Sequence, residues 1–140
     1  MKKFALLAVL LVSTVTFSFA QDCESLIKAC EVHLKGTNNN FVSDGQVYTA
    51  FLDREKAEFK TTFFGGSTYR IAATAGEDDT YVIFTVKDLN GNVLFTNKDY
   101  KNSPYWDFKV PKTLPVVVET ELDLDKKVTG CAVMMIGFKR

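Results

Sequence analysis

The stretch Tyr81-Val82-Ile83-Phe84-Thr85-Val86-Lys87-Asp88-Leu89-Asn90-Gly91-Asn92-Val93-Leu94-Phe95-Thr96-Asn97 decides the fold. Two runs rich in β-branched and aromatic residues, Tyr81 to Lys87 and Val93 to Asn97, flank Asn90-Gly91, whose residue types suit a type I′ turn. That pattern predicts a β-hairpin. Working outward, Trp106 to Val110 follows a polar loop and Pro111 to Pro115 interrupts, as prolines do at edges and turns. Val116 to Leu124 then alternates cleanly, with Val116, Val118, Thr120 and Leu122 on one face and Val117, Glu119, Glu121 and Asp123 on the other. It is expected to pair with Gly130 to Lys139 across Asp125 to Thr129. Cys131 to Ile136 is apolar on both faces, which predicts a central strand. Upstream, Val47 to Leu52 precedes Ala57 to Phe64, which is expected to turn at Gly65-Gly66 into Thr68 to Ala75 as another hairpin. Seven or eight short strands with turn signals about every ten residues predict an all-β chain, an antiparallel β-sandwich of jelly-roll character.

One helix precedes the strands. Cys23, Leu26, Ile27, Cys30 and Leu34 recur at three-and-four spacing, Asp22 is placed to cap the start, and Gly36 is placed to end the helix after Lys35. Residues 1–20 read as a secretory signal peptide: Lys2 and Lys3, an apolar run from Phe4 to Val12, and Ser18-Phe19-Ala20 before the cut. The run is too short for a spanning helix, which needs about 20 apolar residues, and no second run follows. Residues 21–140 are therefore expected to form a single domain in the periplasm or outside the cell. Cys23 is read as unlipidated, because Asp22 stands where lipoprotein processing wants a small residue.

An oxidising compartment makes the three cysteines a question of pairing. In a helix Cys23 and Cys30 stand about 10 Å apart along the axis, beyond the ~7 Å that a bridge allows between Cα atoms. Either could pair with Cys131 and pin the helix to the last strand. Cys30 is favoured because it lies inside the apolar stripe; three unpaired buried thiols are the alternative.

The formal charge is +0, and loss of Lys2 and Lys3 would leave the mature chain slightly acidic. With no basic cluster longer than Lys126-Lys127, the electrostatic footprint of a nucleic-acid partner is missing.

The run Glu58-Phe59-Lys60-Thr61-Thr62-Phe63-Phe64-Gly65-Gly66-Ser67-Thr68-Tyr69-Arg70-Ile71 resembles a group of small secreted proteins of Bacteroidota bacteria. The resemblance continues through Ser43 to Tyr48, Leu94 to Asp99, Tyr105 to Phe108 and Ile136 to Lys139. More distantly, the glycine turn before a Tyr-Arg-Ile strand and the Asp-x-x-Gly-Asn hairpin look like the jelly-roll sandwiches of pre-peptidase C-terminal domains. The resemblance implies fold and compartment, and it brings no catalytic residues to carry over.

Candidate chemistry is sparse. There is no Gly-x-Ser-x-Gly elbow, and the single histidine, His33, sits near a helix C-terminus, where a surface position suited to the helix dipole accounts for it. Zinc lacks a Cys-x-x-Cys pair and a second histidine. Calcium has a candidate loop in Glu77, Asp78 and Asp79, whereas Asp88-x-Asn90-x-Asn92 breaks the EF-hand pattern and is explained by its hairpin. Glu119, Glu121 and Asp123 read as a solvated acidic face and not as a catalytic pair. Tyr100, Tyr105 and Trp106 crowd around Pro104 and form the candidate ligand site, although Trp106 shares a strand face with Phe108 and Val110 and would then fill the core. The expectation is a non-enzymatic binding or structural module of the cell envelope without a resident cofactor, its partner an envelope protein or a glycan. The alternative is a carbohydrate-binding module using the loop aromatics.

Overall fold

A computed structural model describes residues 19–76 and 78–139, with side chains from Cys23 onward. In chain order it runs α1 (Phe19–Lys35), β1 (Phe41–Asp53), β2 (Lys56–Phe63), β3 (Ser67–Thr74), β4 (Val82–Lys87) and β5 (Val93–Thr96). A 3-10 turn (Asn97–Tyr100) leads to β6 (Tyr105–Val110), β7 (Leu114–Leu122) and β8 (Thr129–Lys139). The strands form two four-stranded sheets, ordered β1-β8-β3-β6 and β2-β7-β4-β5.

The antiparallel pairs β1 with β8, β2 with β7, β3 with β6 and β4 with β5 are nested, as in one long hairpin rolled over on itself. This is the jelly roll. Among consecutive strands only β4 and β5 pair with each other, so the hairpin at Asn90-Gly91 is real. Its turn differs in type: Gly91 N–H donates to Asp88 O at 3.1 Å and Gly91 has φ +82°, while Asn90 is not left-handed as a type I′ turn requires. The other two expected hairpins are corrected. β2 and β3 lie in opposite sheets, and so do β7 and β8. Gly65-Gly66 is thus a corner between sheets, and Gly65 is required by close approach: a Cβ there would stand 2.8 Å from the Thr113 backbone nitrogen.

The period-two patterns predict the core. Val116, Val118, Thr120 and Leu122 of β7 face Ile71 and Ala73 of β3 and Met134 and Ile136 of β8 across the sandwich, all buried. Each large apolar side chain withdrawn from water contributes about 1.5–3 kcal/mol. β8 lies between β1 and β3 and is buried on both faces, because its second face, Cys131, Val133 and Met135, is covered by Cys30 and Leu34 of α1.

The helix ends at Gly36, which has φ +63° and whose N–H donates to Val32 O at 3.0 Å. Its start is earlier than expected: Asp22 lies inside the helix, which reaches back to Phe19 across the predicted cut after Ala20. Residues 1–18, which hold the rest of the predicted signal peptide, lie outside the described residues.

The disulfide joins Cys23 to Cys131, with Cα atoms 5.6 Å apart, and not Cys30 to Cys131 as expected. The helix runs along β8 in the same direction, so Cys23 meets the strand's start while Leu34 packs on Gly137 near its end. Cys30, two turns further on, is carried past Cys131. Its Sγ lies 3.3 Å from Ala72 O and 3.8 Å from Val133 O, and burial pushes the thiol pKa up to about 12.

Candidate functional site: an aromatic edge

The edge strands β5 and β6 come together at one side of the sandwich, and aromatic rings close the gap between them. Phe95 of β5 packs against Trp106 and Phe108 of β6, ring centres 5.0 Å away in each case. Tyr100, on the intervening 3-10 turn, lies 4.2 Å from Trp106 and 5.6 Å from Phe95. Trp106 is half-buried against the main core, whereas Tyr100 remains 50% exposed. The indole therefore backs the tyrosine.

Two asparagines hold this loop in place. Asn97 is fully buried: its Oδ1 accepts from Phe84 N–H at 2.8 Å, and its Nδ2 donates to Val82 O and Ser103 O, both at 2.9 Å. Asn102, left-handed at φ +55°, donates through Nδ2 to Thr80 O at 3.0 Å and Asp123 Oδ2 at 2.8 Å. The Tyr100 loop is pinned from both ends. Sequence reasoning missed both residues, since asparagines beside a strand read as ordinary turn formers.

The structure does not bring the three candidate aromatics together. Tyr105 and Trp106 are neighbours in a strand, so their side chains leave opposite faces of the sheet. Tyr105 lies on the helix side, its ring 4.4 Å from the Arg70 guanidinium carbon and 6.4 Å from the His33 ring. The platform reduces to Tyr100 backed by Trp106.

The strand beside it is unusual among the four sheet edges. β1 is interrupted by a bulge between Ser43 and Val47; β2 carries Lys56, Glu58 and Lys60 outward; β6 carries Asp107 and Lys109 and is flanked by Pro104 and Pro111. Bulges, charges and prolines keep exposed edges from pairing with other chains. β5, Val93-Leu94-Phe95-Thr96, has no charge and no proline, although its pairing with β4 is bulged at Leu94, where Val86 pairs with Phe95 and Lys87 with Val93; Val93 is 58% and Leu94 49% exposed, and Leu89 on the adjoining turn is 64% exposed.

The acidic groups are engaged elsewhere. Asp78 Oδ1 accepts from Thr80 N–H at 2.7 Å and Thr80 Oγ1 at 2.6 Å, and the hydroxyl bond, then the backbone one, holds its carboxyl below the usual range. Asp79 Oδ1 lies 3.0 Å from His33 Nε2. Glu77 lies outside the described residues. Among the described residues no cluster of three or more His, Cys, Asp or Glu side chains could hold a metal. Asp88 organises its hairpin, accepting from Asn92 and Asn90, and these bonds, Asn92's first, lower its pKa.

The expected wet acidic face of β7 is instead a network. Glu119 is buried between two lysines, Lys87 Nζ at 2.9 Å and Lys56 Nζ at 3.1 Å, and Lys56 also reaches Glu121 at 3.0 Å. Lys87 chiefly, with Lys56, holds the Glu119 carboxyl below its ordinary range.

No protein-family model and no curated protein matches the chain.

Proposed function

We propose that the protein is a non-catalytic binding module of the cell envelope, secreted or periplasmic, which takes a protein partner at the β5 edge. The observation that carries this reading is the exposed, uncharged apolar edge strand, continuous with Tyr100 on a pinned loop. An extended apolar segment of a partner would add a strand to β5, its backbone groups pairing with the edge and its side chains lying against Leu94 and Tyr100. The leader pattern, the Cys23–Cys131 bridge and the likeness to small secreted Bacteroidota proteins support the compartment.

A photo-crosslinking residue at Leu94, activated in the envelope of the source cell, tests it. One reproducible protein adduct that is absent with the same residue at Lys60, on the opposite edge, is expected. Equal labelling from both positions, or none, would overturn the reading. A carbohydrate-binding module is the second reading, favoured by the half-exposed Tyr100 ring backed by Trp106, since such a face stacks on sugars. Glycan retention lost in Tyr100→Ala, without a protein adduct at Leu94, would put it first.

A further inference from the structure

We infer that a groove beside α1, on the outer face of the β1-β8-β3-β6 sheet, binds a small amphiphile: an apolar chain with a single anionic head group. The groove has a volume of about 800 Å³, within the range of small-molecule sites. Leu26 and Ala29 of α1 form one wall, with Phe51 of β1 and Gly130 of β8 beneath them and Tyr81 and Lys127 at the far end. Cys131 also lines it, so the disulfide to Cys23 holds the helix over the groove and keeps it open before any ligand arrives.

Lys127 supplies the charge. Its Nζ donates to Ala75 O at 2.5 Å and lies 5.7 Å from the Tyr81 ring centre. Lys56, Lys87 and Lys126 each meet a carboxylate, but among the described residues none lies within 4.0 Å of Lys127. A carbonyl and an aromatic face stabilise an ammonium without neutralising it, which among the described residues leaves a half-buried positive end to the groove. Two glycines make room for this side chain: a Cβ at Gly130 would stand 2.6 Å from Lys127 Cε, and one at Gly76 would stand 3.1 Å from its Nζ. The lysine is thus built into the groove wall. An anionic head at Nζ would let an acyl chain lie over Phe51 toward Leu26.

The test is calorimetric titration of the oxidised chain from Gln21 with decanoate and with decanol, which share a chain and differ in charge. Decanoate is expected to bind at least about tenfold more tightly, ~1.4 kcal/mol. Lys127→Met should bring decanoate down to the decanol level, Lys127→Arg should keep the preference, and the exposed-site filler Ala29→Trp should abolish binding of both at an unchanged melting temperature. No decanoate binding by the parent chain, an equal affinity for decanol, or binding that survives Ala29→Trp would each overturn the inference. A lysine variant that fails to fold leaves the decanol comparison and Ala29→Trp to decide it.

Discussion

Arg70 grips Asp107 with both prongs of its guanidinium, Nε to Oδ1 at 2.7 Å and Nη2 to Oδ2 at 3.0 Å, while Nη1 donates to His33 O at 3.1 Å. One side chain thereby joins β3 to β6 and satisfies a carbonyl at the helix end that no helical N–H can reach. It also lies over the Phe41 ring at 4.1 Å. Lysine, a point charge, cannot make this fork. Arg70→Lys is expected to cost about 2–3 kcal/mol in urea unfolding and to speed hydrogen exchange over residues 30–36 more than over β7. Uniform acceleration would mean that the arginine supports the whole sandwich and not the helix end.

The Cys23–Cys131 bridge spans 108 residues, so in the chain-entropy model its loss costs about 4–5 kcal/mol. Cys23→Ser and Cys131→Ser should each melt like the reduced parent and stop responding to reductant. Cys30→Ala should keep the full response, because its buried thiol takes no part in the bridge. Unchanged melting of Cys23→Ser under oxidising conditions would refute the tether.

These contrasts show what the residues made legible. Strand patterning and turn signals located the eight strands, although β1 begins at Phe41 and not at Val47, and alternation gave the buried face of β7, since it reports which side of a strand meets apolar neighbours. It cannot report which strand is the neighbour. Gly65-Gly66 would look the same in a hairpin and in a sheet-to-sheet corner, and Glu119 looks wet until β2 and β4 bring Lys56 and Lys87 against it. The choice between Cys23 and Cys30 depended on where along β8 the helix begins, which the helix's own stripe does not encode. The separation of Tyr105 from Trp106 was legible, because adjacent strand residues oppose each other; their nearness to Pro104 concealed it.

Acid should unfold the protein partly through Glu119. Its folded pKa lies below the ordinary 4.5, so its contribution is fully present above that value and is lost as pH falls through the folded pKa. Asp78 and Asp88 act with the same sign. Glu119→Gln is expected to cost about 1–2 kcal/mol at pH 7, discounted because Lys56 is largely exposed, and to flatten the stability loss between about pH 5 and pH 3. Parallel acid limbs for the variant and the parent, in urea titrations across that range, would assign the acid sensitivity elsewhere.

The aromatic edge separates support from recognition. Trp106→Ala removes a ring that Phe95 and Tyr100 both lean on, and a half-buried indole lost from such a cluster should cost about 2–4 kcal/mol. Asn97→Ala leaves a buried donor on Phe84, the buried Val82 carbonyl and the part-buried Ser103 carbonyl without their partner, with a comparable penalty of about 2–4 kcal/mol. Tyr100→Ala removes only the outermost ring and should cost under about 1 kcal/mol, yet it should reduce capture at the β5 edge as strongly as Leu94→Lys does. Thermal melts paired with crosslinking yields read both effects on the same samples. If Tyr100→Ala destabilised as much as Trp106→Ala while capture per folded molecule stayed constant, the ring would be part of the plug between β5 and β6 and not a surface for a partner.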